Sequence, residues 1–425
     1  MSRKKHIVVL GGGFGGLKFC RSIDCEDAKI TLVDRQNHHL FQPLLYQVAT
    51  AGLSMPEIAQ PIRHIVVDNE NIQVIMDEVV DIRLSEKQVL LGSRTLEYDY
   101  LVIALGAVTG YFGNDHWSKY TLGLKSLDEA SQIRRQVLLA FEKAENSTST
   151  EECRRLMTIV VIGGGPTGVE MAGALAELTQ HVLKEDFRNI NPEQTRVVLI
   201  EAAPKVLGNF PDPLPQRALE SLQKIGVEVR VSSPVKDITE GTVVLANETI
   251  LAENIIWAAG VRANPLTQKL GVELDRAGRI KVLPDCSLPG HPEVFAVGDI
   301  TTLTDTKGKV VPGVSPAAMQ EGRHVAKLIL NEIKSGRAVS PAEREPFKYF
   351  DKGSMATIGR SAAVAAVSGF KMTGLFAWLA WLFVHLIFLI GLRNKIAVLL
   401  QWSYSYIRYK RGARIITGLN NNAPK

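Results

Sequence analysis

The sequence predicts an α/β fold built twice, one copy set inside the other, with an apolar C-terminal helical segment added. Three observations predict it. A buried strand, a glycine turn and a helix open the chain at HIVVLGGGFGGLKFC, and the same pattern restarts at RLMTIVVIGGGPTGVEMAGALAEL. Both strand runs are apolar without alternation, as in a parallel sheet covered on two faces. From Gly374 to Leu392 the chain holds one ionisable residue, His385.

A length of 425 residues suggests two or three domains. A hydrophobic content of 46% with 22% charged residues excludes a disordered or fibrous chain. The 49 Lys and Arg outnumber the 44 Asp and Glu, but unevenly. Beyond Lys352 stand nine Lys and Arg and no acid at all, so the tail is cationic and the body mildly acidic. A cationic tail suits an anionic surface, nucleic acid or lipid. The four cysteines, Cys20, Cys25, Cys153 and Cys286, form no CxxC, so no metal site or thioredoxin-type motif is expected. Cys20 and Cys25 are read as ordinary residues of the first helix. No targeting segment is expected before the first strand near His6, and a reducing compartment is expected.

The elements follow in order. AKITLVDR (Ala28 to Arg35) reads as the second strand and YDYLVIALGA (Tyr98 to Ala107) as another. Asp128 to Glu145 reads as a helix, and ENSTST as a polar linker. In the second copy TRVVLIEA, ENIIWAAGV and PEVFAVGDI read as strands. The predicted division is 1–150 and 276–345 for the outer domain, 151–275 for the insert, and 346–425 for an apolar and aromatic C-terminal region.

The first loop carries the fingerprint Gly11, Gly13 and Gly16, with Gly15 beside it. One glycine turns the chain, one lets backbone approach a pyrophosphate, and one lets the helix pack on the strand. Asp34 ends the next strand, 23 residues after Gly11, placed to accept ribose hydroxyls. The second fingerprint is Gly163, Gly165 and Gly168, with Thr167 in the turn and Glu201 as its acid. Its longer spacing is attributed to a helix running on through HVLKEDFRNINPE. An acid here repels a 2′-phosphate, so NADH is expected rather than NADPH. These are Rossmann-like dinucleotide sites; FAD is expected in the outer domain and exchangeable NADH in the insert. Glu170 is placed in the first turn of the second helix. It either reaches over the loop toward a nicotinamide or complements the helix dipole.

GGGFGG, ALGA, GGGPTGVE, WAAG and AVGD together complete the two-dinucleotide flavoprotein pattern. Within that superfamily the chain resembles type II NADH dehydrogenase, the non-proton-pumping NADH:quinone oxidoreductase. The resemblance is carried by HHLFQPLLYQVATAGL (38–53), VPGVSPAAMQEGRHVA (311–326), YFDKGSMATIGR (349–360) and AWLAWLFVHLIFLIGLRN (377–394), and covers essentially the whole chain. It implies non-covalent FAD, ping-pong transfer from NADH to flavin to quinone, and a homodimer on the cytoplasmic face of the inner membrane, with 346–425 as its membrane-anchoring and dimerisation region. By position it puts Asp299 on the flavin ribityl chain, the Val79 backbone at the adenosine end, and Ala104, Gly106 and Ala318 along the flavin. Gly260 falls beside the nicotinamide dinucleotide, Glu170 beside the nicotinamide, and Gln320 at the flavin edge facing quinone. Lys352 is read either as a further candidate near the quinone or as a surface lysine. The family's A-Q-x-A-x-Q motif reads Ser315-Pro316-Ala317-Ala318-Met319-Gln320 here, so its first glutamine is missing.

The tail is expected to lie in the headgroup layer, with Trp378, Trp381 and His385 on one face and Arg408, Lys410, Arg411 and Arg414 against lipid. A true span and a dry core helix are the other readings. Aromatic residues beside those cations favour lipid over nucleic acid. Rival activities are a soluble reductase of a protein carrier, which needs no such tail, and a sulfide:quinone oxidoreductase, which needs reactive cysteines.

Overall fold

The computed structural model describes residues 3–306, 308–408 and 412–417, with Ile407 and Arg408 described only as helical backbone. Two compact units emerge. The first comprises Met1–Leu40, Ala59–Val108 and Val261–Lys352; the second comprises Phe41–Ile58, Thr109–Gly260 and Gly353–Lys425. These breaks differ from the divisions at 150/151, 275/276 and 345/346 read from sequence. Helix Leu127–Asn146 packs against strand Asn254–Trp257 and helix Leu45–Ala49, so it belongs to the second unit. That helix starts at a reciprocal cap: Ser126 accepts from the Glu129 N–H, and Glu129 accepts from the Ser126 N–H.

The first unit is built on a six-stranded sheet, in the order Ser287–Leu288, His291–Ala296, Tyr100–Ile103, Lys5–Leu10, Ala28–Asp34, Ile72–Met76. Its pairings are parallel except at the Ser287–Leu288 edge. Ile7, Val8, Val9 and Leu10 are fully buried, which explains their unbroken apolar run. Helix Phe14–Cys20 ends at Cys20, so Cys25 lies beyond it, in the turn before the next strand. Helix Ser315–Ser335 packs on helix Phe14–Cys20; a Cβ on Gly322 would stand 2.2 Å from the Gly15 carbonyl oxygen. Close packing of that kind needs glycine.

The second unit repeats the plan with four parallel strands, in the order Val227–Arg230, Arg196–Ile200, Thr158–Ile162, Asn254–Trp257. Both sheets therefore place the glycine-loop strand between its acid-bearing neighbour and a returning strand. The helix after the second loop stops at Glu177. A π-turn over Leu178–Val182 and irregular chain follow, rather than the long helix expected. Lys184 to Asn191 is polar apart from Phe187 and Ile190 and leads into Pro192, so nothing in it sustains an apolar helical stripe.

The tail forms an antiparallel sheet, Ser354–Thr357, Ala363–Val367 and Phe370–Thr373, followed by helices Gly374–Phe388 and Leu392–Arg408. Small residues Ala363, Ala365 and Ala377 let the first helix sit close to the sheet, with Trp378 beside them. Trp378 and Trp381 are buried in protein, correcting their expected place at an interface with lipid. His385 stacks on Trp381 at 3.9 Å, and its Nδ1 lies 2.7 Å from the Trp381 carbonyl oxygen. Burial lowers its pKa to about 4, so it is neutral near pH 7. The opposite side is apolar and exposed: Phe376 is 78% and Leu392 73% exposed. Among the described residues no helix is long and apolar enough to cross a membrane. Arg414 pairs with Asp186 instead of standing open as a lipid-facing cation. The Lys410 and Arg411 expectations, and the Arg408 side chain, lie outside the described residues.

One buried bond fixes the last helix. The Trp402 indole N–H donates to Gln47 Oε1 at 2.8 Å, and Gln47 Nε2 donates to the Tyr46 hydroxyl at 3.0 Å. Replacing Trp402 with Phe strands a buried acceptor, so a loss of about 1–3 kcal/mol is expected. Urea unfolding of the tail, followed by tryptophan fluorescence, reads it; an unchanged midpoint would count against this bond.

Candidate functional site: two glycine loops and their carboxylates

Each loop is constrained by its own backbone. A Cβ on Gly11 would lie 2.3 Å from the Ala104 carbonyl oxygen, and one on Gly16 2.0 Å from that of Gly11. Gly13 has nothing within 4 Å of that position, so open space faces the loop. In the second unit a Cβ on Gly163 would lie 2.5 Å from Ala259 Cα, and one on Gly168 1.8 Å from the Gly163 carbonyl oxygen, while Gly165 is open. Thr167 is exposed on the first turn of that helix.

The acids are held alike. Asp34 accepts from the Gly12 N–H at 2.6 Å and the Gln36 N–H at 2.7 Å. Glu201 accepts from the Gly164 N–H at 2.5 Å and the Ala203 N–H at 2.7 Å. Each carboxylate thus ties the middle glycine of its loop to the end of the neighbouring strand. Each oxygen keeps a lone pair for a further donor, which is what a ribose diol offers. Burial raises the Asp34 pKa, and the two N–H donors oppose that rise.

Around the first loop the structure gathers most of the predicted residues. The Ala318 carbonyl oxygen is 3.3 Å from a Cβ built on Gly15, and the Ala318 side chain is 3.2 Å from one built on Gly298. Asp299 follows Gly298, whose φ of +80° turns the chain there. Asp77, two residues before Val79, donates its N–H to the Asp34 carbonyl oxygen at 3.0 Å, bringing that segment to the same strand end. Gly106 has φ +66° with nothing crowding it. This loop, with its opening at Gly13 and its locked acid, fits an FAD pyrophosphate and ribose.

Gln320 has a holding contact that its position in the motif did not show. Its Nε2 donates to the Phe350 carbonyl oxygen at 3.0 Å, and its Oε1 accepts the Phe350 N–H at 2.9 Å. Both ends of the amide therefore hold the 350 segment, from which exposed Lys352 follows.

In the second unit Glu170 is the fifth residue of helix Pro166–Glu177, so it stands past the first turn, contrary to expectation. Its carboxyl is buried and faces Thr357, whose N–H lies 3.4 Å away. Burial raises its pKa to about 8. The Thr357 N–H and the Trp381 indole only partly oppose that, and the indole nitrogen makes no hydrogen bond of normal geometry among the described residues. A cavity of about 60 Å³ lies beside it, lined in part by Tyr46, Gln47, Thr357, Arg360 and Tyr406. Gly260 lies against the ring of Phe112, 2.6 Å from where its Cβ would stand.

Two groups escaped the sequence reading. Glu321 is buried, accepts the Gly298 N–H at 2.5 Å, and has its pKa raised by burial to about 7. A helical period through Ala317, Ala318, Gly322 and Val325 includes it, so the signal was there. Buried His39 is hydrogen-bonded through Nδ1 to the Gly12 carbonyl oxygen at 2.9 Å, with no partner at Nε2 among the described residues; no spacing marks it. The cysteines are all free: Cys20, Cys25 and Cys286 are buried and Cys153 half-buried. Burial pushes the Cys20 thiol up to about 12 and the Cys286 thiol well above its ordinary range, the reverse of a reactive thiolate.

The family pattern for pyridine nucleotide-disulphide oxidoreductases matches residues 5–322, and that for the NDH2 C-terminal domain matches 352–408. The chain is 44% identical over 428 residues to the type II NADH:quinone oxidoreductase Ndh of Mycobacterium tuberculosis, across 98% of this chain and 91% of that protein. Identity to the type II NADH:quinone oxidoreductase of Staphylococcus haemolyticus is 30%, across 87% of this chain and 92% of that one. The structure of NDH2 from Plasmodium falciparum in complex with NADH superposes with a TM-score of 0.89 at 21% identity, covering 98% of this chain and 100% of that chain. The sulfide:quinone oxidoreductase of Aquifex aeolicus shares the fold less closely, with a TM-score of 0.71 at 20% identity over 95% of each chain. With two glycine loops, each tied to its own carboxylate, and this end-to-end similarity, the chain belongs to the pyridine nucleotide-disulphide oxidoreductases and, among them, to the type II NADH:quinone oxidoreductases.

Proposed function

We propose that this protein oxidises NADH and reduces a membrane quinone through a non-covalently bound FAD, without pumping protons. The observation that carries the reading is the duplicated loop-and-carboxylate device, one copy in each unit. FAD, when bound, accepts a hydride's two electrons and releases them to the second substrate. The first loop, Asp34, the Val79 backbone, Ala104, Gly106, Asp299 and Ala318 hold it. The second loop, Thr167, Gly260 and Glu201 hold NADH, and the Glu201 carboxylate disfavours a 2′-phosphate. The exposed apolar side of the two tail helices seats the enzyme on lipid, from which quinone arrives. We assign that surface to the cytoplasmic face of the inner membrane and the working form to a homodimer.

Quinone reduction needs two electrons and two protons, and NADH supplies one proton with the electron pair. With a pKa of about 8, Glu170 keeps a proton at neutral pH; we assign it a role beside the reacting rings. Gln320 positions the segment bearing Lys352. The test is anaerobic: NADH bleaches the flavin band, and a soluble quinone restores it. A flavin that ignores NADH would end the reading.

Glu170→Gln separates role from burial. The folded-state pKa lies above the unfolded value, so the folded protein keeps this proton while the unfolded chain loses it. Stability from this group is present below about pH 4.3 and is lost as pH rises to about 8. At roughly 1.4 kcal/mol per pH unit, the parent is expected to lose on the order of a few kcal/mol across that window relative to the Gln variant. Thermal unfolding of both proteins at pH 5 and pH 8 checks it, and parallel curves would refute the buried acid. Stopped-flow reduction is expected to slow in the variant with flavin retained.

A further inference from the structure

We infer that a cavity of about 470 Å³ beside helix Ser315–Ser335 binds a phosphate group. Its wall carries Arg323, His324 and Lys327 from that helix, Lys348 from the segment that follows, and Ser22 from the end of the first helical turn region. Arg323 is also close enough to Lys18 to act on it as a like charge. Partial burial first, and then Arg323, Arg21 and Lys352, lower the pKa of Lys18. No ion pair reaches Lys18, Arg21, Arg323 or Lys348 among the described residues.

A solvated charged face would interleave acids on the helix surface. Here the acids of the helix are turned elsewhere. Glu321 accepts the Gly298 N–H, and Glu332 is paired with Arg344. Glu345, the one carboxylate in the wall, is matched by Lys327 at 2.8 Å. The wall therefore keeps two cations outside any ion pair among the described residues, Arg323 and Lys348, drawn from separate stretches of chain, although Lys348 also acts on Glu345 from a distance. An uncharged quinone gains nothing from them. A phosphate monoester or diester does, through the planar guanidinium of Arg323, the ammonium of Lys348 and the Ser22 hydroxyl. Phe350 is 68% exposed and lies within two residues of both Lys348 and Lys352, which suits a lipid headgroup with its chains close by. Free phosphate is the other source. The inference stands apart from the redox reading.

The test compares the full-length protein with Arg323→Gln/Lys348→Gln, with a control lacking two cations elsewhere, Lys4→Gln/Lys29→Gln, and with the charge-keeping Arg323→Lys. Melting is followed in inorganic phosphate and in chloride at equal ionic strength. A rise of about 2–4 °C in phosphate is expected for the parent, the control and Arg323→Lys, and none for the double variant; that result assigns a free phosphate. Flotation with phosphatidylglycerol vesicles against phosphatidylcholine vesicles is the second arm. If phosphate has no effect but the anionic preference falls roughly five-fold per cation in the double variant alone, the ligand is a lipid headgroup. A double variant that matches the control in both arms overturns the site. Circular dichroism confirms that it is folded; if it is not, the single variant Lys348→Gln takes its place, expected to lose the phosphate effect or the anionic preference, and a Lys348→Gln that matches the control in both arms overturns the site.

Discussion

Gly168→Ala is expected to lower kcat/KM for NADH by about 100-fold or more, while the protein stays yellow. The added methyl carbon would lie 1.8 Å from the Gly163 carbonyl oxygen. That neighbour is backbone, so no side chain can turn aside to make room. The helix must move off the strand or the loop must open. Either shift displaces the Gly164 N–H, which donates to Glu201, and with it both anchors of the dinucleotide. Hydride transfer depends on near-contact placement of two rings, so a displacement of about 1 Å is enough for the loss. The FAD loop belongs to the other unit and keeps its own glycines. Steady-state kinetics with a soluble quinone, read beside flavin absorbance per protein, distinguish the outcomes. A variant with the parental KM for NADH would show that this loop does not hold the nucleotide.

Arg344→Met is expected to cost about 3–5 kcal/mol of stability in the first unit, because it leaves buried charge uncompensated. Arg344 is buried between Asp285, at 2.9 Å, and Glu332, at 2.7 Å. Both acids are buried as well. The Tyr100 hydroxyl donates to the second oxygen of Glu332 at 2.9 Å, Ser287 donates to Asp285 at 2.7 Å, and the guanidinium lies 4.9 Å from the Phe295 ring centre. Removing the cation alone strands two carboxyls among apolar strands. Changing Arg344, Asp285 and Glu332 together to apolar residues of similar volume is expected to recover much of the loss, since such ion clusters add little over good packing. Chemical denaturation of the three proteins settles the comparison. A single variant as stable as the parent would mean that water reaches the cluster.

What could be read without coordinates was local and periodic. Glycines three and two apart, between an apolar run and a helix, have one common physical use. Both loops and both acids were therefore visible, as was the repeat of the plan. The tail was legible as apolar and cationic. Its Trp378 and Trp381 face was not, because an aromatic stripe reads the same whether it meets lipid or protein.

From sequence alone came the doubled α/β plan and the two dinucleotide loops with Asp34 and Glu201, because each rests on short-range spacing that backbone geometry enforces; the family resemblance came from longer stretches matched residue by residue. Only the tertiary structure decided which way Glu170 faces, what Gln320 holds, where the units divide and that Arg414 is paired with Asp186. Those depend on partners distant in sequence, and burial, which sets the charge state of Glu170, Glu321 and His385, is supplied by the whole surrounding core.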